Sequence, residues 1–136
     1  IRTSWLYSEH GANFMKTMLR LAETRDEVSV VSDQIGSPTY AGDLALLLLE
    51  IVNSNTKSFG LYHYSNEGQT SWYGFAKAIF ESCKNSVRVT PISSSQYPTA
   101  ATRPKHSVLD TARAKKVFNS IPYKWEISLK KAIENR

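Results

Sequence analysis

A few side chains in this sequence could grip a small molecule, and they cluster in short runs. Trp5 closes Arg2-Thr3-Ser4-Trp5 and offers a flat apolar face. Asn13 stands just ahead of a helical pattern, where its amide can meet a ligand or simply cap the helix. In Asp33-Gln34-Ile35-Gly36-Ser37-Pro38-Thr39, Gln34 can donate and accept, and Gly36 to Thr39 read as a tight loop that backbone and ligand can approach closely. Arg103, beside Pro104, carries a guanidinium suited to bidentate contact with phosphate or carboxylate oxygens. Each has a plainer reading, respectively a core Trp, an N-cap, a structural turn and a surface Arg.

Other chemistry is poorly represented. Tyr73-Gly74-Phe75-Ala76-Lys77 fits Tyr-x-x-x-Lys, a spacing that puts both side chains on one helix face and lets a cation lower a phenol pKa. No cofactor loop accompanies it, and a Tyr with a snorkelling Lys on a surface helix is the better reading. The glycines fall at 11, 36, 42, 60, 68 and 74, and no three have dinucleotide-loop spacing. His10, His63 and His106 share no metal-ligand spacing, so a zinc site is not expected.

Positioning these groups requires an alternation of strands and helices. Ile1 to Tyr7 reads as a buried strand, and Phe14 to Arg25 as a helix with Phe14, Met18, Leu19, Leu21 and Ala22 at helical spacing. Val28 to Val31 is a β-branched strand. Ala41 to Val52 is so apolar that burial on most sides is expected. Gly60 to Ser65 alternates like a strand, and Thr70 or Ser71 can cap a helix to Cys83. Val87 to Thr90 is a further strand, Pro91 to Lys105 is irregular, and Asp110 can cap a helix to Phe118 before a last helix over 126–135. Strands separated by helices and joined irregularly indicate an α/β layer fold with mixed short strands and about five helices.

At 136 residues the chain fits one domain, 1–136, able to bury a core. With 41% hydrophobic and 21% charged residues it reads as globular rather than disordered. The run Leu44 to Leu49 is too short to span a bilayer and no signal peptide opens the chain, so no membrane association and a cytoplasmic location are expected. The lone Cys83 forms no internal disulfide and reads as a packing residue. The net charge of +5 is dispersed, with no basic block, so nucleic acid is not the expected partner.

Five runs match a known family in order and spacing. They are Arg2-Thr3-Ser4-Trp5-Leu6-Tyr7, Asn13-Phe14 opening its helix, Asp33-Gln34 through Thr39, Ser71-Trp72-Tyr73 with Phe75-Ala76, and Arg103-Pro104 with Ser107 and Leu109. On these runs nearly the whole chain resembles the C-terminal, substrate-binding part of the dTDP-4-dehydrorhamnose reductases, which are extended short-chain dehydrogenases of Rossmann type. The resemblance implies a parent enzyme that reduces the C4 ketone of dTDP-4-dehydro-L-rhamnose with NADPH or NADH. The nicotinamide cofactor and the catalytic Tyr, Lys and Thr would belong to an N-terminal Rossmann region, leaving no catalytic residue in these 136 and an inactive fragment. Trp5 would face a deoxysugar, Asn13 and the loop of Gln34, Gly36, Ser37, Pro38 and Thr39 would contact the dTDP-sugar, Arg103 would meet its diphosphate, and Ser4 would sit by the cofactor. Mg2+ as a helper ion and a homodimer both remain open. Related epimerases and dehydratases typically carry an Arg-Asp-Tyr-type run where this chain has Gly36-Ser37-Pro38, a departure that favours the reductase branch. Such an epimerase or dehydratase is one alternative; a non-catalytic regulatory subunit of the methionine adenosyltransferase type is the other.

Overall fold

The computed structural model describes all of residues 1–136. Its elements run β1 (Leu6–Tyr7), α1 (Phe14–Leu21), β2 (Glu27–Val31), β3 (Ile35–Gly36), β4 (Thr39–Tyr40), α2 (Ala41–Asn53), β5 (Thr70–Ser71), α3 (Trp72–Ser82), β6 (Arg88–Ile92), a 3-10 turn (Ser94–Gln96), α4 (Ala112–Phe118) and α5 (Trp125–Glu134). The five α-helices and the mixed α/β order agree with the reading of the sequence.

The strands form three small ladders instead of one sheet. β1 pairs with β4 and β2 with β6, both parallel, while β3 and β5 are antiparallel. Between them lies the core, where Tyr7, Met15, Met18, Val28, Val30, Phe75, Ile79, Phe80, Trp125 and Leu129 are buried together. α3 contributes most because Phe75, Ala76, Ile79 and Phe80 recur at helical spacing and all face inward. Its start is fixed by Ser71, whose hydroxyl accepts the Gly74 N–H at 3.0 Å. The other expected cap works differently: Asp110 accepts the Ala112 N–H at 2.9 Å, but Thr111 occupies the cap position of α4.

Three expectations need correction. Ile1 to Tyr7 is not a continuous buried strand, since only Leu6–Tyr7 ladder and Ile1 is exposed. Trp5 takes a left-handed φ of 50°, which a bulky residue seldom adopts and which ends any strand there. Gly60 to Ser65 forms a single parallel bridge, His63 to Arg2, although its alternation is real, with Tyr62 and Tyr64 buried and Leu61 turned out. A strand needs a neighbour to ladder with, and Arg2 offers only one residue of partner. Lastly, α2 is not buried on most sides: only Asp43 and Leu47 are, while Leu46, Leu48, Leu49 and Val52 are exposed. Smaller differences lie at the ends of α1, which tightens into turns accepting Glu23 N–H and Thr24 N–H after Leu21 rather than continuing to Arg25.

A buried polar knot ties α2 to the rest. Asn66 accepts the Tyr40 N–H at 2.8 Å through Oδ1, and its Nδ2 donates to Asp43 at 2.8 Å and to Ser128 Oγ at 3.0 Å. Ser128 also donates to Asp43, and Lys131 approaches the same carboxylate at 3.8 Å. Every member except Lys131 is buried, so the knot holds β4, α2 and α5 in one geometry.

Candidate ligand-binding cleft

A cleft of about 580 Å3 runs along α1. Phe14, Thr17, Met18 and Leu21, spaced i, i+3, i+4 and i+7, give it one wall. Residues 28–31 of β2 form the floor, Trp72 closes one end, Arg25 lies just beyond the C-terminus of α1, and Tyr97, Thr99 and Arg103 face them from the segment after β6. Gln34 completes the lining. Two guanidinium groups and no carboxylate line the cleft, together with an apolar and aromatic body. That combination suits an anion attached to a flat or apolar ring.

The residues singled out from the sequence divide sharply. Gln34 and Arg103 line the cleft. Trp5 adjoins it indirectly, its ring stacked on that of Trp72 with centroids 3.6 Å apart and planes 8° from parallel. Gly36 lies under the same indole, where any Cβ would collide with the Trp5 ring. Asn13 is a helix cap: its Oδ1 accepts the Lys16 N–H at 3.2 Å and its Nδ2 donates to the carbonyls of Ser8 and His10. It adjoins the cleft only through its neighbour Phe14. Ser37, Pro38 and Thr39 are buried behind the lining; Ser37 Oγ donates to the Gly68 carbonyl at 2.7 Å, and the Thr39 N–H to the Trp5 carbonyl at 3.1 Å.

Ser4 stands apart from the cleft, and its hydroxyl is buried without a partner, as are those of Thr3 and Thr39. Buried hydroxyls without partners are uncommon in native folds. No glycine-rich cradle for a dinucleotide occurs in residues 1–136. No group of three or more His, Cys, Asp or Glu is placed to hold a metal ion. On α3, Lys77 faces Glu81 at 3.8 Å as an exposed i,i+4 pair, and Tyr73 lines with them a separate hollow of about 270 Å3 that shares no residue with the cleft.

Several lining residues were not recognised from sequence. Phe14 and Met18 read as core positions, and both roles hold because the helix face that packs inward also forms the wall. Arg25 lay within an expected helix, and no motif marks Tyr97 or Thr99. Asp33 is well placed too, accepting the Ser94 N–H and Oγ–H at 2.9 Å each. These bonds, chiefly the one from the Ser94 hydroxyl, with Lys105 nearby, hold its carboxyl below the usual carboxylate range.

An α/β lobe with an acid-free, arginine-lined cleft defines a small-molecule-binding unit for an anionic ligand. The chain belongs to the family described as the RmlD substrate binding domain, whose model matches residues 1–136. It is 44% identical over 140 residues to the dTDP-4-dehydrorhamnose reductase of Aggregatibacter actinomycetemcomitans, covering 96% of this chain and 48% of that protein. Among solved structures it is similar to the dTDP-4-dehydrorhamnose reductase of Bacillus anthracis in complex with NADP, at 41% identity and TM-score 0.90, over 98% of this chain and 46% of that one. The orthologue from Clostridium acetobutylicum gives 41% identity and TM-score 0.92. The chain spans about half the length of the curated relatives it matches. No helix is long and apolar enough to cross a membrane.

Proposed function

We propose that this chain is the substrate-gripping half of a dTDP-4-dehydrorhamnose reductase, an enzyme that reduces the C4 ketone of dTDP-4-dehydro-L-rhamnose to give dTDP-L-rhamnose. The observation that carries the reading is the cleft itself, in which Arg25 and Arg103 face an aromatic and apolar wall with no carboxylate beside them. In this assignment Arg103 pairs with the diphosphate, Gln34 hydrogen-bonds the nucleoside or sugar, and the stacked Trp5 and Trp72 form the apolar end against the deoxysugar. NADPH or NADH would supply the hydride, held mainly by an N-terminal Rossmann region with Ser4 at its edge. The proton would come from a Tyr of that same region, as the family resemblance implies.

The same reading accounts for the exposed apolar side of α2. Leu46, Leu48, Leu49 and Val52 form the surface on which the N-terminal region of the longer protein packs. The test is turnover: the full-length protein with NADPH should convert dTDP-4-dehydro-L-rhamnose to dTDP-L-rhamnose, and residues 1–136 alone should not. A full-length protein that leaves this substrate untouched while acting on another nucleotide sugar would replace the substrate assignment.

A further inference from the structure

Residues 94–105 cross the mouth of the cleft as an arch, and both feet stand on the residues flanking Gln34, one on the Asp33 carboxylate and one on the Ile35 backbone. At the first foot Asp33 takes two hydrogen bonds from Ser94, one from the amide and one from the hydroxyl, each 2.9 Å. At the second, the Ile35 N–H donates to the Lys105 carbonyl at 2.8 Å, and the Ser107 N–H returns to the Ile35 carbonyl at 2.8 Å. Between the feet the arch carries Tyr97, Thr99 and Arg103 into the lining, yet every residue from Ser95 to His106 is exposed. Its remaining hydrogen bonds are local, among Ser93 to Tyr97 and from the Thr99 hydroxyl to the Ala101 carbonyl, and none reaches α1 or β2. The arch is therefore pinned at two adjacent points and free along its span.

We infer that Asp33 is a positioning residue: by clamping Ser94 it sets the stance of a strap that closes Arg103 onto the anionic part of the ligand while Gln34, between the feet, reads the same molecule. The closure rests on the ligand class proposed above; the clamp itself is a matter of geometry. A carboxylate suits the task because its two oxygens can take both Ser94 donors at once, which fixes direction as well as distance. Neither Asp33 nor Ser94 lines the cleft, so their effect on the ligand passes through Arg103.

The experiment is a double-mutant cycle in the full-length protein, combining Asp33→Ala with Arg103→Ala, with Ser94→Ala as the milder break of the clamp. Asp33→Ala should raise KM for the dTDP-sugar about ten-fold with kcat within about two-fold and KM for NADPH unchanged. In the Arg103→Ala background the same change should add less than about two-fold, because the group it positions has gone. A second readout needs no turnover: pyrophosphate or dTDP should slow tryptic cleavage after Lys105 in the wild type, and neither should do so in Asp33→Ala. Multiplicative effects in the cycle, or a KM unmoved in both Asp33→Ala and Ser94→Ala, would overturn the positioning role. Protection by pyrophosphate in a protein that does not reduce the dTDP-sugar would retain the strap and discard the substrate; turnover without protection would do the reverse.

Discussion

α1 and α2 are built on opposite principles. α1 is a short amphipathic helix whose Met15 and Met18 are buried and whose Lys16 and Arg20 face water, so its sequence and its surroundings agree. α2 holds the most apolar run of the chain, yet four of its large aliphatic residues are open to solvent, Val52 by 72%. The more hydrophobic helix is the less buried one. On the α1 side the core is finished, and the same inward-packing face does further work as a cleft wall. On the α2 side only the inner edge is finished, by the polar knot of Asp43, Asn66 and Ser128, and the outer edge has the composition of an interior. The wall along α1 is assembled within these 136 residues, whereas the apolar edge of α2 is left uncovered by them.

Breaking the finished edge of α2 should cost most. Asn66→Ala removes partners from the Tyr40 N–H, Asp43 and Ser128 and leaves the buried Asp43 carboxylate with Ser128 and the more distant Lys131 alone, so unfolding free energy should drop by about 3–5 kcal/mol in urea melts. Phe75→Ala, in the completed core below α1 and fully buried, should lose about 3–5 kcal/mol as well. Leu49→Ala is the sharper probe of the contrast. At 58% exposure it should cost less than about 0.5 kcal/mol in the 136-residue chain but about 2–3 kcal/mol in the full-length protein, where the proposed packing would bury it. Equal small losses in both would remove the interface from α2.

The fold is legible in the sequence unevenly. Helix positions follow from periodicity because α1, α3 and α5 carry apolar faces, and α1 and α3 are also capped by the side chains of Asn13 and Ser71. The exposure of α2 was not legible, since hydrophobicity states that a surface needs covering but not which part of a protein covers it. The Asp33 to Thr39 run shows the same limit for the site. Its residue types suggested one ligand-facing loop, whereas β3 and β4 turn Gly36 to Thr39 inward and leave Gln34 at the cleft, a split decided by tertiary pairing with β1 and β5. Trp5 was read as either core or contact, and it is half-buried on Trp72 with a left-handed backbone that no local pattern announces.

Two smaller effects refine the picture of the finished side. Tyr7 and Tyr64 have their phenols pushed well above the ordinary 10.0, first by burial and then by the negative Asp43. A raised phenol pKa favours the neutral form in the fold, so this stability is whole below pH 10 and is lost as pH climbs beyond it; urea melts at rising pH should show the loss. Asn13→Ala should cost about 1 kcal/mol as a lost cap on α1, and any change in ligand affinity should be no larger than that loss of helix order explains.

The account stands most directly on whether the cleft along α1 is where the nucleotide sits. Titration of the full-length protein with dTDP, followed by tryptophan fluorescence or calorimetry, should give a Kd that rises about ten-fold or more in Arg103→Ala while NADPH binding is unchanged. Identical dTDP affinity in wild type and Arg103→Ala would contradict it and move the ligand away from this cleft.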